Sequence, residues 1–311
     1  MSARESVLSP AVVAEIDDLE LAARLVVEGM RTGGNRSPFH GYSTEFRQHR
    51  SYRAGDDLKY LDWKLYARSD RLFTRQFRET TNVPVMLVLD ASASMDFPDA
   101  ADGAPSKFRY ASIIAAALAY VASEQGNAVG LMTSDGGALR YLPARGGRPH
   151  FRALLSTIER LVPAGRWEAP RVIDRAAQLL RRRGIVIVIS DFYDDGDATT
   201  RALRRVTRHG HDVSVLQVLA PDEVTLSGSG TVEFVDAETG ETRRTDPATI
   251  AAGYAAAIER FSAALRDDAV HAGIDYARLV TDAPPGRALR DFLQRRGARH
   301  DAERSHRPVQ R

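Results

Sequence analysis

Two apolar runs limit what this chain can fold into. Val83 to Asp90 and Gly184 to Ser190 carry hydrophobic residues at successive positions, not at alternate ones. A strand patterned this way has to be covered on both faces, as in a parallel sheet between helices. The intervening pattern agrees. Lys107 to Gln125 reads as a helix closed by Gly126, and Ala128 to Thr133 and Ala138 to Leu142 read as strands joined at Asp135-Gly136-Gly137. Pro149 to Leu161, Pro170 to Arg183 and Ala198 to His209 have helical character, and Asp212 to Leu219 is a further strand. This order predicts an α/β, Rossmann-like, doubly wound and mostly parallel sheet.

The flanks add to that domain. Val13, Ile16, Leu19, Ala23 and Val26 share one helical face, so residues 1–34 read as an N-terminal extension with one helix over Pro10 to Arg31. Residues 35–80 form a polar and aromatic segment expected to pack on the sheet. In it, Gly55-Asp56-Asp57 reads as a turn and helix cap, Leu58, Leu61 and Leu65 as a short helix, and Leu72 to Phe77 as a strand. Residues 81–297 form the main domain. Its C-terminal αβ addition comprises a hairpin across Glu238-Thr239-Gly240, a helix over Ile250 to Asp268, a strand over Ile274 to Val280 and a helix over Arg287 to Arg296. Residues 298–311, with Arg299, Arg304, Arg307 and Arg311, are expected to be a disordered basic tail.

Composition removes several functions. The 311 residues include no cysteine, which excludes disulfides, zinc–thiolate sites, iron–sulfur clusters and cysteine nucleophiles. A net charge of +2 gives no global attraction to nucleic acid, and no aromatics interleave with Arg181-Arg182-Arg183 to stack bases. The uncharged run Tyr110 to Ser123 is shorter than the roughly 20 residues a membrane span needs. Acids interrupt Val12 to Met30, so no signal peptide is read there and a cytoplasmic location is expected.

In a doubly wound sheet, ligands bind beyond the carboxyl ends of the strands, where strand order reverses. The loops after the two apolar strands begin Asp90-Ala91-Ser92-Ala93-Ser94-Met95 and Ser190-Asp191. Alternate spacing in Asp-x-Ser-x-Ser lets one tight loop aim three oxygens at a point. Carboxylate and hydroxyl oxygens suit a hard cation, Mg²⁺ or Mn²⁺. Hydroxyls neutralise little of its charge, so such an ion can take a further carboxylate from outside. Asp194, Asp195 and Asp197 read as loop solvation and a helix cap, and His40, His49 and His150 as surface residues without metal-ligand spacing.

Val88-Leu89-Asp90-Ala91-Ser92-Ala93-Ser94-Met95 resembles the metal-ion-dependent adhesion site (MIDAS) of von Willebrand factor A-like domains. The resemblance implies that Ser92 and Ser94 bind the metal directly, that Asp90 binds it or holds its water, and that Asp191 supplies an acid. The family pattern also has a threonine in an intervening loop. There is none between Leu139 and Ser156, and the matching stretch is read as Ala144 to His150.

A longer likeness covers residues 35 to 220. Gly41-Tyr-Ser-Thr-Glu45-Phe46, Arg50-Ser-Tyr52-Arg-Ala-Gly55-Asp56-Asp57 and Leu61-Asp62-Trp63-Lys-Leu-Tyr66-Ala67-Arg68-Ser-Asp70-Arg71-Leu72 resemble the bacterial domain-of-unknown-function family 58, as does Lys107-Phe108-Arg109-Tyr110-Ala111. Genes of that family commonly lie beside those of MoxR-type AAA+ ATPases, so the resemblance implies such a partner. Asp56, Asp57, Asp62, Trp63 and Arg68 read either as a partner-binding face or as a network of salt bridges and caps.

The expected function is therefore a metal-dependent adaptor without catalysis of its own. The alternative is a Mg²⁺- or Mn²⁺-dependent hydrolase such as a phosphatase. Against it, neither loop offers a histidine base, and there is no Gly-x-x-x-x-Gly-Lys phosphate cradle. A phosphatase screen with either metal separates the two.

The apolar residues Leu58, Leu61, Trp63, Leu65 and Phe77 would serve no purpose in a free linker. Limited proteolysis is therefore expected to leave residues 36–80 attached to the main domain. A stable fragment beginning near Val83 would contradict this.

Overall fold

The computed structural model describes residues 9–31, 44–52, 61–69, 71–79, 83–98, 104–135, 137–194, 196–226 and 228–306. They form two compact units, Met1–Pro38 together with Pro84–Arg311, and Phe39–Val83.

The larger unit opens with two helices, α1 (Pro10–Ala14) and α2 (Leu19–Arg31), where one was expected. The break has a local cause. The Asp18 carboxylate accepts bonds from the Glu20 and Leu21 N–H groups at 2.8 and 3.1 Å, starting a new helix instead of continuing the old one. Arg109 donates to the carbonyls of Ala14 and Ile16, on either side of the break.

In the smaller unit, β1 (Thr44–Ser51) pairs antiparallel with β2 (Phe73–Glu79), and α3 (Trp63–Ser69) lies between them in sequence. β1 has no apolar run to announce it; its partner strand sets its register, with Ser51 opposite Phe73 and a bulge between Phe46 and Gln48. Helix α3 starts at Asp62, whose carboxylate accepts the Leu65 N–H at 3.0 Å. Asp56, Asp57 and Leu58, where the sequence placed an earlier start, lie outside the described residues.

The central sheet is doubly wound, as expected. Its strands are β3 (Pro84–Leu89), β4 (Ala128–Asp135), β5 (Ala138–Arg145), β6 (Ile185–Ser190), β7 (Asp212–Leu219) and β10 (Asp275–Val280), in the order β10-β7-β6-β3-β4-β5. All neighbours are parallel except β4 and β5, which form a hairpin. Every residue of β3 and β6 is buried, the result their unbroken apolar sequences demand. The intervening helices are α4 (Lys107–Glu124), α5 (Arg148–Glu159), α6 (Ala169–Leu179) and α7 (Gly196–Arg208), followed by the short α8 (Pro221–Val224). A small hairpin, β8 (Val232–Val235) with β9 (Thr242–Thr245), precedes α9 (Pro247–His271), and α10 (Pro285–His306) ends the fold.

Helix α10 continues past Gly297, where the sequence reading ends it and expects a disordered tail. Gly297 costs a helix interior about 1 kcal/mol relative to Ala. Arg296 and Arg299 offset that loss. The Arg296 side chain is buried between β7 and β10, donating to Ser214 at 2.7 Å and Asp275 at 2.9 Å and pairing with Asp212. Arg299 pairs with Asp275 at 3.0 Å and reaches the Gly273 carbonyl at 2.6 Å. Near its start, α10 also holds α2, through Arg290 bonds to the Met30 and Gly29 carbonyls.

Removing one partner of a buried ion pair leaves uncompensated charge. Arg296→Ala is expected to destabilise the fold by about 1.5–3 kcal/mol, the scale of its charged hydrogen bonds, because Arg299 still faces Asp212 and Asp275. Urea denaturation measures this; a loss below about 1 kcal/mol, the range of exposed pairs, would show that the network is solvated.

Candidate metal centre

Strand order reverses between β3 and β6: from β3 the chain goes to β4 on one side, then returns to β6 on the other. Asp90 directly follows β3, and Asp191 directly follows β6. These are adjacent strands, so both acids emerge at one carboxyl edge.

The Asp90 carboxylate is fully buried. Its Oδ1 accepts the Ser92 N–H at 2.8 Å, and its Oδ2 accepts the Ser190 hydroxyl at 2.5 Å. Burial, and then the charge of Asp191, push its carboxyl up to about 8, against the opposing pull of the Ser190 and Ser92 hydrogen bonds. The Ser92 and Ser94 hydroxyls lie 3.1 Å apart, on a short 3₁₀ turn over Ala93–Asp96. Asp90, Ser92 and Ser94 thus share one tight loop, and Asp191 is close enough for its charge to act on Asp90.

The second loop turns sharply. Phe192 has a φ of 63°, in the left-handed region, which costs a residue with a Cβ about 1–2 kcal/mol. Its ring is buried in the core, and its N–H bonds to the Ser190 hydroxyl at 2.9 Å, so packing holds the turn. Buried Gln217, itself fixed by Tyr276 at 2.6 Å, donates to the Asp191 carbonyl at 3.3 Å.

The sequence reading missed two charged members of this edge. Lys107, at the start of α4, is buried with its ammonium 2.7 Å from Asp191 and 2.6 Å from Glu223. Burial opposes its charge, but the two acids outweigh burial and hold the ammonium above its ordinary value. Glu223 is pushed up by burial, with Lys107 pulling the other way. The Tyr193 ring adds a cation–π contact at 5.0 Å. The only signal available was position: Lys107 follows the Ser106 helix cap and belongs to a motif quoted for family likeness alone.

The threonine loop needs correcting. Antiparallel β5 ends at Arg145 opposite Val129, at the amino end of β4, so the stretch Ala144 to His150 opens on the far edge of the sheet. The loop that meets Asp-x-Ser-x-Ser lies between α5 and α6: Ala164 N–H bonds to the Ala91 carbonyl at 2.9 Å, and Ala93 N–H to the Gly165 carbonyl at 3.0 Å. That loop, Arg160 to Glu168, carries no threonine either. Among the described residues no three Asp, Glu, His or Cys side chains gather as metal ligands, so hydroxyls would have to complete any set at this edge.

The alternative binding face belongs to the smaller unit. Asp62 caps α3, Trp63 is 61% exposed and stands edge-on to Tyr66, and Arg68 is exposed in the last turn. Asp62 therefore has a structural task, whereas Trp63 and Arg68 remain open to solvent. Asp56 and Asp57 lie outside the described residues.

Lys107→Met is expected to cost about 3–5 kcal/mol, because it leaves Asp191 and Glu223 buried without their cation. Adding Glu223→Gln should recover part of that loss, since only one carboxylate then stays unpaired. Denaturation of the single and double variants checks this; strictly additive losses would mean that Lys107 and Glu223 are not coupled.

Comparison with known proteins places the geometry in context. Residues 48–265 match the family described as a protein of unknown function, DUF58. An uncharacterised protein of Mycobacterium tuberculosis strain H37Rv is 34% identical over 250 residues, which cover 79% of this chain and 77% of that one. Among solved structures, an aerotolerance-related membrane protein from Bacteroides fragilis aligns over 68% of this chain and 99% of its own, with 20% identity and a TM-score of 0.47. The SpRpn10 VWA domain aligns over 68% and 94%, with 15% identity and a TM-score of 0.39. The family match spans more than half of the sequence, including both loops of the site, and the chain is therefore a member of the DUF58 family.

Proposed function

We propose that this protein is a metal-dependent protein-binding adaptor that works with a MoxR-type AAA+ ATPase in the assembly or maturation of another complex. The observation that carries this reading is the buried Asp90 carboxylate beside a second acid and a pair of hydroxyls. Its carboxyl is pushed up because burial and Asp191 are only partly offset by the Ser190 and Ser92 hydrogen bonds, Lys107 being engaged by Asp191 and Glu223. A Mg²⁺ or Mn²⁺ ion would supply that compensation, and the donors are of the hard-oxygen type such ions take. Asp90, Ser92, Ser94 and Asp191 would hold it. Bound there, it would act as a Lewis acid toward an outside carboxylate.

The von Willebrand factor A-like fold supports a protein-interaction role, and the family likeness points to the ATPase. A single Asp or Glu on the partner would complete the coordination shell.

Two measurements test this. Calorimetric titration is expected to show Mg²⁺ or Mn²⁺ binding that Asp90→Ala abolishes; equal binding by both proteins sinks the metal assignment. Capture of a MoxR-type ATPase is expected to fall severalfold in EDTA, and likewise in Ser92→Ala, which removes a ligand without adding charge. Undiminished capture in EDTA would move the contact away from the metal, toward the face that carries Trp63 and Arg68.

A further inference from the structure

At the amino edge of the sheet, opposite Asp90 and Asp191, α6 and α7 end side by side and lead into β6 and β7. Between them is a cavity of about 480 Å³, within the range of small-molecule sites. Arg181, Arg182, Arg183 and Arg205 line it together with His209 and His211, and Asp174 is its single acid among the described residues. Leu180 and Val206, both buried, supply apolar lining.

Helix-end chemistry does not account for this concentration of charge. A cation complements the helix dipole within the last turn. The last turn of α6 holds no basic residue; Arg181 to Arg183 follow the helix, in the segment that leads into β6. Asp174 is already engaged by Arg205, which reaches its two oxygens at 2.5 and 3.2 Å. The lining offers no further carboxylate to the arginine triplet, and a bound dianion would neutralise most of that excess.

Two of the donors are also held in position. Arg183 lies across Gly210: a Cβ there would come 2.7 Å from its Nε, and Gly210 takes a left-handed φ of 85°. The backbone is bare where the guanidinium rests. His211 is buried, and its Nδ1 accepts the Gly184 N–H at 3.3 Å, so the neutral ring carries its proton on Nε2. Burial, then the His209 and Arg183 charges, hold the imidazole below its ordinary value. No protein acceptor meets this Nε2–H among the described residues.

We propose that this cavity binds a small phosphate monoester, with Arg181, Arg183 and the His211 Nε2–H on the phosphate oxygens and Leu180 and Val206 against the organic body. A phosphate monoester carries a charge of about −1.5 to −2 at pH 7, and its oxygens match the fork of a guanidinium. A monocarboxylate would leave most of the positive charge unmet. No Phe, Tyr or Trp lines the cavity, so nothing there selects a nucleobase by stacking. The six residues of β6 separate this site from Asp191 by about 20 Å, and it does not depend on the metal reading.

The test titrates the full chain with phenyl phosphate by calorimetry, in EDTA so that the opposite edge contributes nothing. Binding is expected, with inorganic phosphate about tenfold weaker because it lacks an apolar body to bury. Arg183→Gln should weaken phenyl phosphate about tenfold. Arg208→Gln removes the same charge from the end of α7, outside the cavity lining, and should leave affinity unchanged. Gly210→Ala keeps every charge but displaces the Arg183 side chain, and should weaken binding severalfold. Equal losses in the Arg183 and Arg208 variants would reduce the site to diffuse positive charge and overturn the inference, as would failure of phenyl phosphate to bind. A phosphoserine peptide binding more than tenfold tighter than phenyl phosphate would overturn the small-molecule assignment.

Discussion

A buried ammonium organises the carboxyl edge of this sheet. Lys107 begins α4, Asp191 follows β6, and Glu223 lies in the short helix after β7, so one side chain ties three separate crossovers together. Desolvating an ion costs several kcal/mol, and that cost is offset only when its partners are in place. The interaction is thus conditional on the whole fold: the loops are placed by the strands, and Lys107 is tolerated only because they are. One oxygen of Asp191 is held by Lys107 and the other accepts the Tyr193 N–H, which fixes the carboxylate's orientation.

The same economy appears around Asp90. Ser190, the last residue of β6, bonds to the acid that follows β3, so hydrogen bonding across adjacent strands and side-chain bonding at their ends reinforce each other. Phe192 continues the theme: its left-handed backbone is unfavourable alone, but it buries a ring and aims the Asp191 loop. Local strain is compensated by packing, which places the site on a rigid support.

What was legible in the sequence follows from range. Val83 to Asp90 and Gly184 to Ser190 announce themselves because burial on both faces leaves a continuous apolar signature. Asp90 and Asp191 follow from those strands by topology alone. β1 was not legible, since a two-stranded ribbon needs a partner more than a pattern, and Thr44 to Ser51 contains a single apolar residue. The break at Asp18 was written in a cap that an otherwise unbroken amphipathic stripe concealed. The roles of Lys107 and Glu223 depend on pairings across 84 and 116 residues, and no local spacing encodes these. The misplaced threonine loop has a related cause. One antiparallel strand, β5, inverts the edge at which its following loop emerges, a direction the tight turn at Asp135-Gly136-Gly137 implies but the family pattern of loops does not carry.

The clasp between α10 and α2 bears on how the chain is made. Arg290 bonds to the Met30 carbonyl, 260 residues away in sequence. At about 5–20 residues per second on the ribosome, α2 waits roughly 13–50 s for the helix that completes its packing. Its apolar face, with Leu19, Val26 and Met30 buried in the finished fold, must meanwhile rest on α4 or be shielded by a chaperone. Helix α2, made early, is therefore among the last elements to be sealed, and the nascent sheet assembles with α2 and α10 still to be gathered on its α4 side.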